Sequence, residues 1–226
     1  MKLLVKDLDI LVINMDRSVD RKTHILNVLD GLCTPTFIQA VDGKEEGNEI
    51  LDYIIKEKTD MEFSQPFGHS TITSKIIARK GCYLSHFKAL NYASQYNLKN
   101  VLILEDDVFF DRNVNTIEVP DDYDIFYLGG FSKPKSIARV IPLQIGINPI
   151  DSFLSKYWCA SAYMVKDPTK LLPYFYRHRP TTYDAFLINF IQKKNKCYHL
   201  YPPLIKQSPA IPSTIDLKCP FRHLAC

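Results

Sequence analysis

The stretch DILVINMDRSVDRKTHILNVLDGLCTPTFIQAVDG, residues 9–43, holds two short apolar runs separated by a helical period. DILVINM, residues 9–15, is almost wholly aliphatic, as expected of a strand covered on both faces. Ser18 stands at a helix N-cap position, and Ile25, Val28, Leu29 and Leu32 then recur at i, i+3, i+4 and i+7 on one face. Gly31 is placed where a helix commonly closes. TFIQAV reads as a second strand and runs into the turn signal Asp42-Gly43. Strand, helix, strand is the unit of a parallel sheet, so the opening predicts an α/β fold with a mostly parallel central sheet flanked by helices.

The same pattern continues downstream. GCYLSHFKALNYASQY predicts a helix with Tyr83, Phe87 and Leu90 on one face; VLIL predicts a third strand and DIFYLGG a fourth. WCASAYMV predicts a further strand, Asp167-Pro168 a capped helix start, YDAFLINFIQKKN an amphipathic helix and KCYHLY a last short strand. Residues 44–78 read as a long excursion, mobile or facing an acceptor, with a short helix around ILDYIIK. The region up to about residue 155 shows no clear period, and residues 202–226 form a Pro-rich extended tail. One domain over residues 1–226 accounts for the whole pattern, with no repeat or linker.

Bulk composition narrows the classes. The 226 residues are 46% hydrophobic and 23% charged, enough for one substantial core. A formal charge of +3 gives no concentrated basic face, so nucleic acid is not an expected partner. Lys193, Lys194 and Lys196 fit a helix C-terminus, where cations complement the dipole. Six cysteines without CxxC spacing argue against a zinc ribbon and for reduced, packed thiols; Cys219 and Cys226 could pair in an oxidising compartment. No stretch approaches the roughly 20 apolar residues of a membrane span, and the expected location is cytoplasmic.

VLILEDDVFF, residues 101–110, sets Glu105, Asp106 and Asp107 directly after the third strand. Ligands of a parallel sheet bind beyond the carboxyl ends of its strands. Side chains two apart in extended chain point the same way, so Glu105 and Asp107 face one point and Asp106 another. Such a cluster is either a solvated turn or a seat for a hard divalent cation, Mn²⁺ or Mg²⁺, which keeps positions open for phosphate oxygens. Arg17 and Arg21, following Asn14, either decorate a solvated helix start or cradle a diphosphate.

The ordered set VINMDRSVDRK (12–22), FIQAVDG (37–43), GCYLSHFKAL (81–90), LILEDDV (102–108), SAYMV (161–165), YDAFL (183–187) and YPPLIKQS (201–208) resembles glycosyltransferase family 25. That family includes bacterial lipooligosaccharide and collagen galactosyltransferases. The resemblance implies a GT-A-type nucleotide-binding sandwich with a DxD-like motif. It implies inverting, metal-dependent transfer of galactose or glucose from a UDP-sugar to a hydroxyl on a glycan, lipooligosaccharide or glycosylated protein. On that footing Glu105 and Asp107 hold the metal. Asn14, Arg17, Arg21, Asp42, Ser85, His86 and Asp106 contact the nucleotide sugar. Asp184 is the candidate catalytic base or a helix cap. Arg79 and Lys80 stand where the family often carries an acidic residue. The rival functions are a non-catalytic carbohydrate- or partner-binding module and a metal-dependent nucleotidyltransferase or phosphohydrolase.

Overall fold

The computed structural model describes residues 1–43, 73–111, 114–134, 144–151, 155–178 and 180–211. In chain order, β1 (Lys2–Leu4) and a 3₁₀ turn precede β2 (Ile10–Asn14), α1 (Val19–Leu29) and β3 (Thr36–Gln39). Next come α2 (Thr73–Gln95), β4 (Val101–Glu105), β5 (Val108–Phe110), β6 (Thr116–Glu118) and β7 (Ile125–Tyr127). β8 (Phe131–Pro134), β9 (Gly146–Pro149), β10 (Ser155–Trp158) and β11 (Ala162–Val165) follow. The described chain ends with α3 (Leu172–Arg177), α4 (Tyr183–Phe186), β12 (Cys197–Tyr201) and β13 (Ile205–Gln207).

Among the described residues seven strands form one sheet in the order β3-β2-β4-β11-β7-β12-β9. The expected mostly parallel sheet is found at β3-β2, β2-β4 and β7-β12. The other three junctions are antiparallel, so the sheet is mixed. The reason lies in the stretch after β7, which showed no clear sequence period. β8 and β10 pair antiparallel, with Trp158 opposite Phe131, which returns the chain to the carboxyl end of β7. β11 therefore starts there and must run back between β7 and β4. The predicted strand WCASAYMV is accordingly broken in two at Cys159, whose φ of 72° reverses the chain.

Alternation along the buried strands divides the core between the two faces. Leu11, Val101, Ile103, Tyr127 and Tyr163 pack against α2, α3 and α4. Ile10, Val12, Leu102, Leu104 and Phe126 pack on the other side with Ile25 and Leu29 of α1. α1 ends as expected, with Gly31 at φ +70°. Ser18 occupies its N-cap position without a side-chain capping bond; the Asn14 amide reaches the Ser18 carbonyl at 3.4 Å instead.

Three further expectations need revision. α2 begins at Thr73, so residues 73–78 belong to a helix and not to the 44–78 excursion. The run TSKIIARK lacks Pro and Gly and extends the helix backwards; the expected helix at ILDYIIK lies outside the described residues. YDAFLINFIQKKN makes one α-turn and then a π-helical stretch, Leu187–Ile191. After it the buried Gln192 amide donates to the Tyr157 carbonyl at 2.8 Å and the Tyr127 hydroxyl at 3.2 Å. Finally, the start of the Pro-rich tail contains β13, which pairs antiparallel with β5 directly after the acidic turn; residues 212–226 lie outside the described residues. Cys33, Cys82, Cys159 and Cys197 are free thiols, and Cys219 and Cys226 are outside the described residues. No helix among the described residues is long and apolar enough to cross a membrane.

His199 on β12 is 4% exposed and stacks on Tyr157 at 4.7 Å. Burial disfavours its charged ring and lowers its pKa to about 4. Unfolded histidine titrates near 6.5, so between pH 6.5 and 4 the unfolded chain binds a proton that the folded chain refuses, and stability is lost in that window. Urea unfolding at pH 7.5 and pH 4.5 should show wild type losing about 2 kcal/mol more than His199→Gln on acidification; equal losses would contradict a buried neutral imidazole.

Candidate functional site

Parallel register brings three strand ends to one edge. Ile13 of β2 lies beside Glu105 of β4 and Asn14 beside Gln39 of β3, so the residues that follow all emerge together. They open on a cavity of about 330 Å³ lined by Asn14, Arg17, Arg21, Asp42, Ser85, His86, Glu105, Asp106 and Asp107, with Cys82, Gly81 and Gln207. Every metal and nucleotide-sugar residue expected from the sequence is among these. Asp184 is not. A wider hollow of about 540 Å³ beyond α1 gathers Asp30 with otherwise uncharged residues, so the convergent chemistry belongs to the smaller cavity.

The three carboxylates take different partners. Asp106 accepts from the Asn14 amide at 2.7 Å and from Arg21 Nε at 2.7 Å. The Arg21 guanidinium also reaches Asp107 Oδ2 at 3.0 Å. The arginine expected at a diphosphate thus supplies one positive charge to the acidic turn itself. Arg17, the other, pairs with Asp42 at 2.6 Å on the cavity rim. Glu105 turns towards α2, with His86 Nε2 at 3.5 Å and the Cys82 thiol at 3.9 Å from Oε1. Gln207 donates to Glu105 Oε2 at 3.4 Å and also bonds Asp107. Asp107 Oδ1 is buried and has no hydrogen-bond partner among the described residues.

One arginine does not neutralise three anions, and the electrostatics show it. Burial, reinforced by Asp106, raises Glu105 to about 7, against the opposing pull of Arg21 and Gln207. Burial and then Glu105 raise Asp107 to about 7. An orphaned buried oxygen beside a second carboxylate held short of full ionisation is the arrangement a divalent cation completes.

The remaining side chains build this edge. Ser85 donates to the Gly81 carbonyl at 2.6 Å and accepts from the Val41 amide at 2.9 Å, so its hydroxyl fastens α2 to the loop that carries Asp42. Its expected contact with the nucleotide sugar therefore has to share an oxygen already engaged. His86 is fully buried, stacks on Tyr183 at 4.0 Å and bonds the Tyr163 hydroxyl through Nδ1 at 3.0 Å; burial lowers its pKa to about 3. The Tyr163 and Tyr183 hydroxyls are 2.8 Å apart.

Asp184 is not the helix cap that its position allowed. Thr182 is the N-cap residue, while Asp184 Oδ1 accepts from the Ala160 amide at 3.1 Å, beside the kink before β11. Burial, with Glu105 next, raises Asp184 to about 6. Cys82, Cys159 and Gln207 were not singled out in the sequence as site residues. Gln207 stood in YPPLIKQS, but only the β5-β13 pairing shows that it reaches Glu105.

Residues 7–139, more than half of the chain, match the family model described as "Glycosyltransferase family 25 (LPS biosynthesis protein)". The chain belongs to glycosyltransferase family 25. A "Glycosyltransferase 25 family member" of Drosophila pseudoobscura pseudoobscura is 34% identical over 131 residues, 53% of this chain and 20% of that protein. "Procollagen galactosyltransferase 1" of Danio rerio is 29% identical over 223 residues, 87% of this chain and 36% of that protein. "Procollagen galactosyltransferase 2" of Homo sapiens is 26% identical over 131 residues, 20% of its length. The chain therefore spans between a fifth and about a third of these family 25 relatives.

Gly81 tests how this edge is held. A Cβ there would lie 2.6 Å from the Val41 carbonyl oxygen and 3.0 Å from the Gly43 nitrogen, both backbone atoms. Gly81→Ala must push the Asp42 loop outward and should cost about 1–3 kcal/mol in urea unfolding. At Gly31 nothing lies within 4 Å, so Gly31→Ala should cost only its left-handed strain, about 1 kcal/mol. A Gly81→Ala chain as stable as wild type would show that α2 does not bear on the loop.

Proposed function

We propose that this chain is the glycosyl-transfer domain of a GT-A-type enzyme, moving galactose or glucose from a UDP-sugar to an acceptor hydroxyl with inversion. The observation that carries it is the orphaned Asp107 Oδ1, beside Glu105, at the shared carboxyl edge of β2, β3 and β4. The relatives named procollagen galactosyltransferases support galactose, and the family description supports a lipopolysaccharide acceptor; a glycosylated protein is the other acceptor class.

Glu105 and Asp107 would hold Mn²⁺ or Mg²⁺. When bound, the ion supplies Lewis-acid stabilisation of the negative charge left on the nucleotide diphosphate. Asn14 and Arg21 fix Asp106 against α1, which keeps the acidic turn in place as charge changes at the rim. Arg17, 65% exposed in its side chain, can exchange Asp42 for a phosphate oxygen. Ser85 holds the Asp42 loop, and Asp42 bounds the nucleotide side of the cavity. Asp184, whose carboxylate accepts from the Ala160 amide at the β10–β11 kink, would take the proton of the attacking hydroxyl. A carboxylate with pKa near 6 is a better proton acceptor than one near 4.

Thermal-shift measurements with UDP, GDP and CMP, each with and without Mn²⁺, test the reading. Binding stabilises by mass action, so UDP with Mn²⁺ at a hundredfold excess over Kd should raise Tm by roughly 5 °C or more. The shift should need the metal and vanish in Asp107→Ala, whose unliganded melt serves as the check on folding because the substitution also removes the ion pair with Arg21. No shift under any condition favours the binding module; turnover of nucleoside triphosphates or phosphate esters without an acceptor favours the phosphohydrolase class.

A further inference from the structure

Cys82 and His86 are four residues apart on α2, so both side chains leave the same face of the helix. That face meets the end of β4. Cys82 Sγ, His86 Nε2 and a Glu105 carboxylate oxygen lie within 4.8 Å of one another. The two distances to Glu105 Oε1 are 3.5 Å from nitrogen and 3.9 Å from sulfur. Ligand distances of a tetrahedral zinc ion imply donor separations of about 3.4 Å for nitrogen and oxygen and about 3.6 Å for sulfur and oxygen. The two pairs that include Glu105 Oε1 thus stand within a few tenths of an ångström of those separations, and the sulfur and nitrogen lie within 4.8 Å of each other.

We propose that Cys82, His86 and Glu105 form a binding site for a thiophilic divalent ion, for which Zn²⁺ and Co²⁺ are the probes. The donor set is nitrogen, sulfur and oxygen, which suits zinc and cobalt far better than the all-oxygen preference of Mg²⁺ or Mn²⁺. Two side chains spaced i, i+4 on a helix with a carboxylate from a separate element is a recurrent way to seat zinc. His86 is arranged for it. Its Nδ1 bonds the Tyr163 hydroxyl, which fixes the ring, and when Nδ1 donates, Nε2 presents a lone pair towards Glu105. In that tautomer the lone pair faces the Glu105 carboxylate, a contact that a cation between them relieves. On ligation the thiol gives its proton to solvent and binds as thiolate.

This site shares only Glu105 with the oxygen pair assigned above to Mn²⁺ or Mg²⁺. Zinc at Cys82 and His86 draws that carboxylate towards α2, so the two ions compete and zinc suppresses manganese-supported nucleotide binding. The proposal needs neither a sugar nor a nucleotide to be correct.

Titration of the purified chain with Co²⁺ alone should produce a near-ultraviolet sulfur-to-cobalt absorption that saturates at one equivalent and is displaced by Zn²⁺. Its intensity should fall at least tenfold in Cys82→Ser and persist in Cys33→Ser, a thiol remote from the cavity. Independently of any variant, Zn²⁺ but not Mg²⁺ should slow alkylation of Cys82 in the wild-type chain at least tenfold, read by peptide mass mapping. Absence of the band in wild type, a band of unchanged intensity in folded Cys82→Ser, or an unchanged alkylation rate would each overturn the proposal. The band is read without nucleotide. A chain that shows it but no UDP shift refutes the transferase reading alone, and the converse refutes the zinc site alone.

Discussion

Three consecutive carboxylates at the end of a buried strand repel one another. At 4 Å and an effective dielectric near 20, each such pair costs roughly 4 kcal/mol. The fold offsets part of this with its own cation: Arg21 reaches both Asp106 and Asp107 from α1. What remains is concentrated on Glu105 and Asp107, where burial pushes both carboxyls up and leaves one oxygen without a partner. The cavity exists around that residual charge.

Each neighbouring element is anchored with respect to it. Asn14 ends β2 beside Asp106 and links the strand to the acidic turn; β3 delivers the Asp42 loop, which Ser85 and Gly81 clamp to α2. His86 is held on its other flank by Tyr163 of β11 and by Tyr183 of α4. The antiparallel insertion of β11 is therefore more than a topological detail. It carries the tyrosine that orients His86 and begins at the kink whose Ala160 amide holds Asp184.

Much of this could be read from the chain alone. The aliphatic runs of residues 9–15 and 101–104, the helical period from Ile25, and the acidic turn itself are local signals. They placed the strand ends, and with them Asn14, Arg21 and Glu105, at one edge. The losses arise where pairing is non-local. Nothing in IKQ announces a strand against β5, so Gln207 was legible only as part of an extended tail. WCASAYMV has the composition of one strand, and only the β8-β10 pairing explains why it bends at Cys159. Cys82 carries no spacing signal for a metal except its distance of four from His86, and that becomes informative only once Glu105 is seen opposite.

The pairing of β13 with β5 has a kinetic side. Gln207 and Glu105 are 102 residues apart in the chain, yet their side chains meet. Contacts of such separation form late, because the intervening polypeptide must first be ordered. On a ribosome, the strands and helices up to β12 emerge while Glu105 and Asp107 still lack this neighbour. The pocket is thus finished by one of the last described segments to be synthesised, after the sheet that supports it.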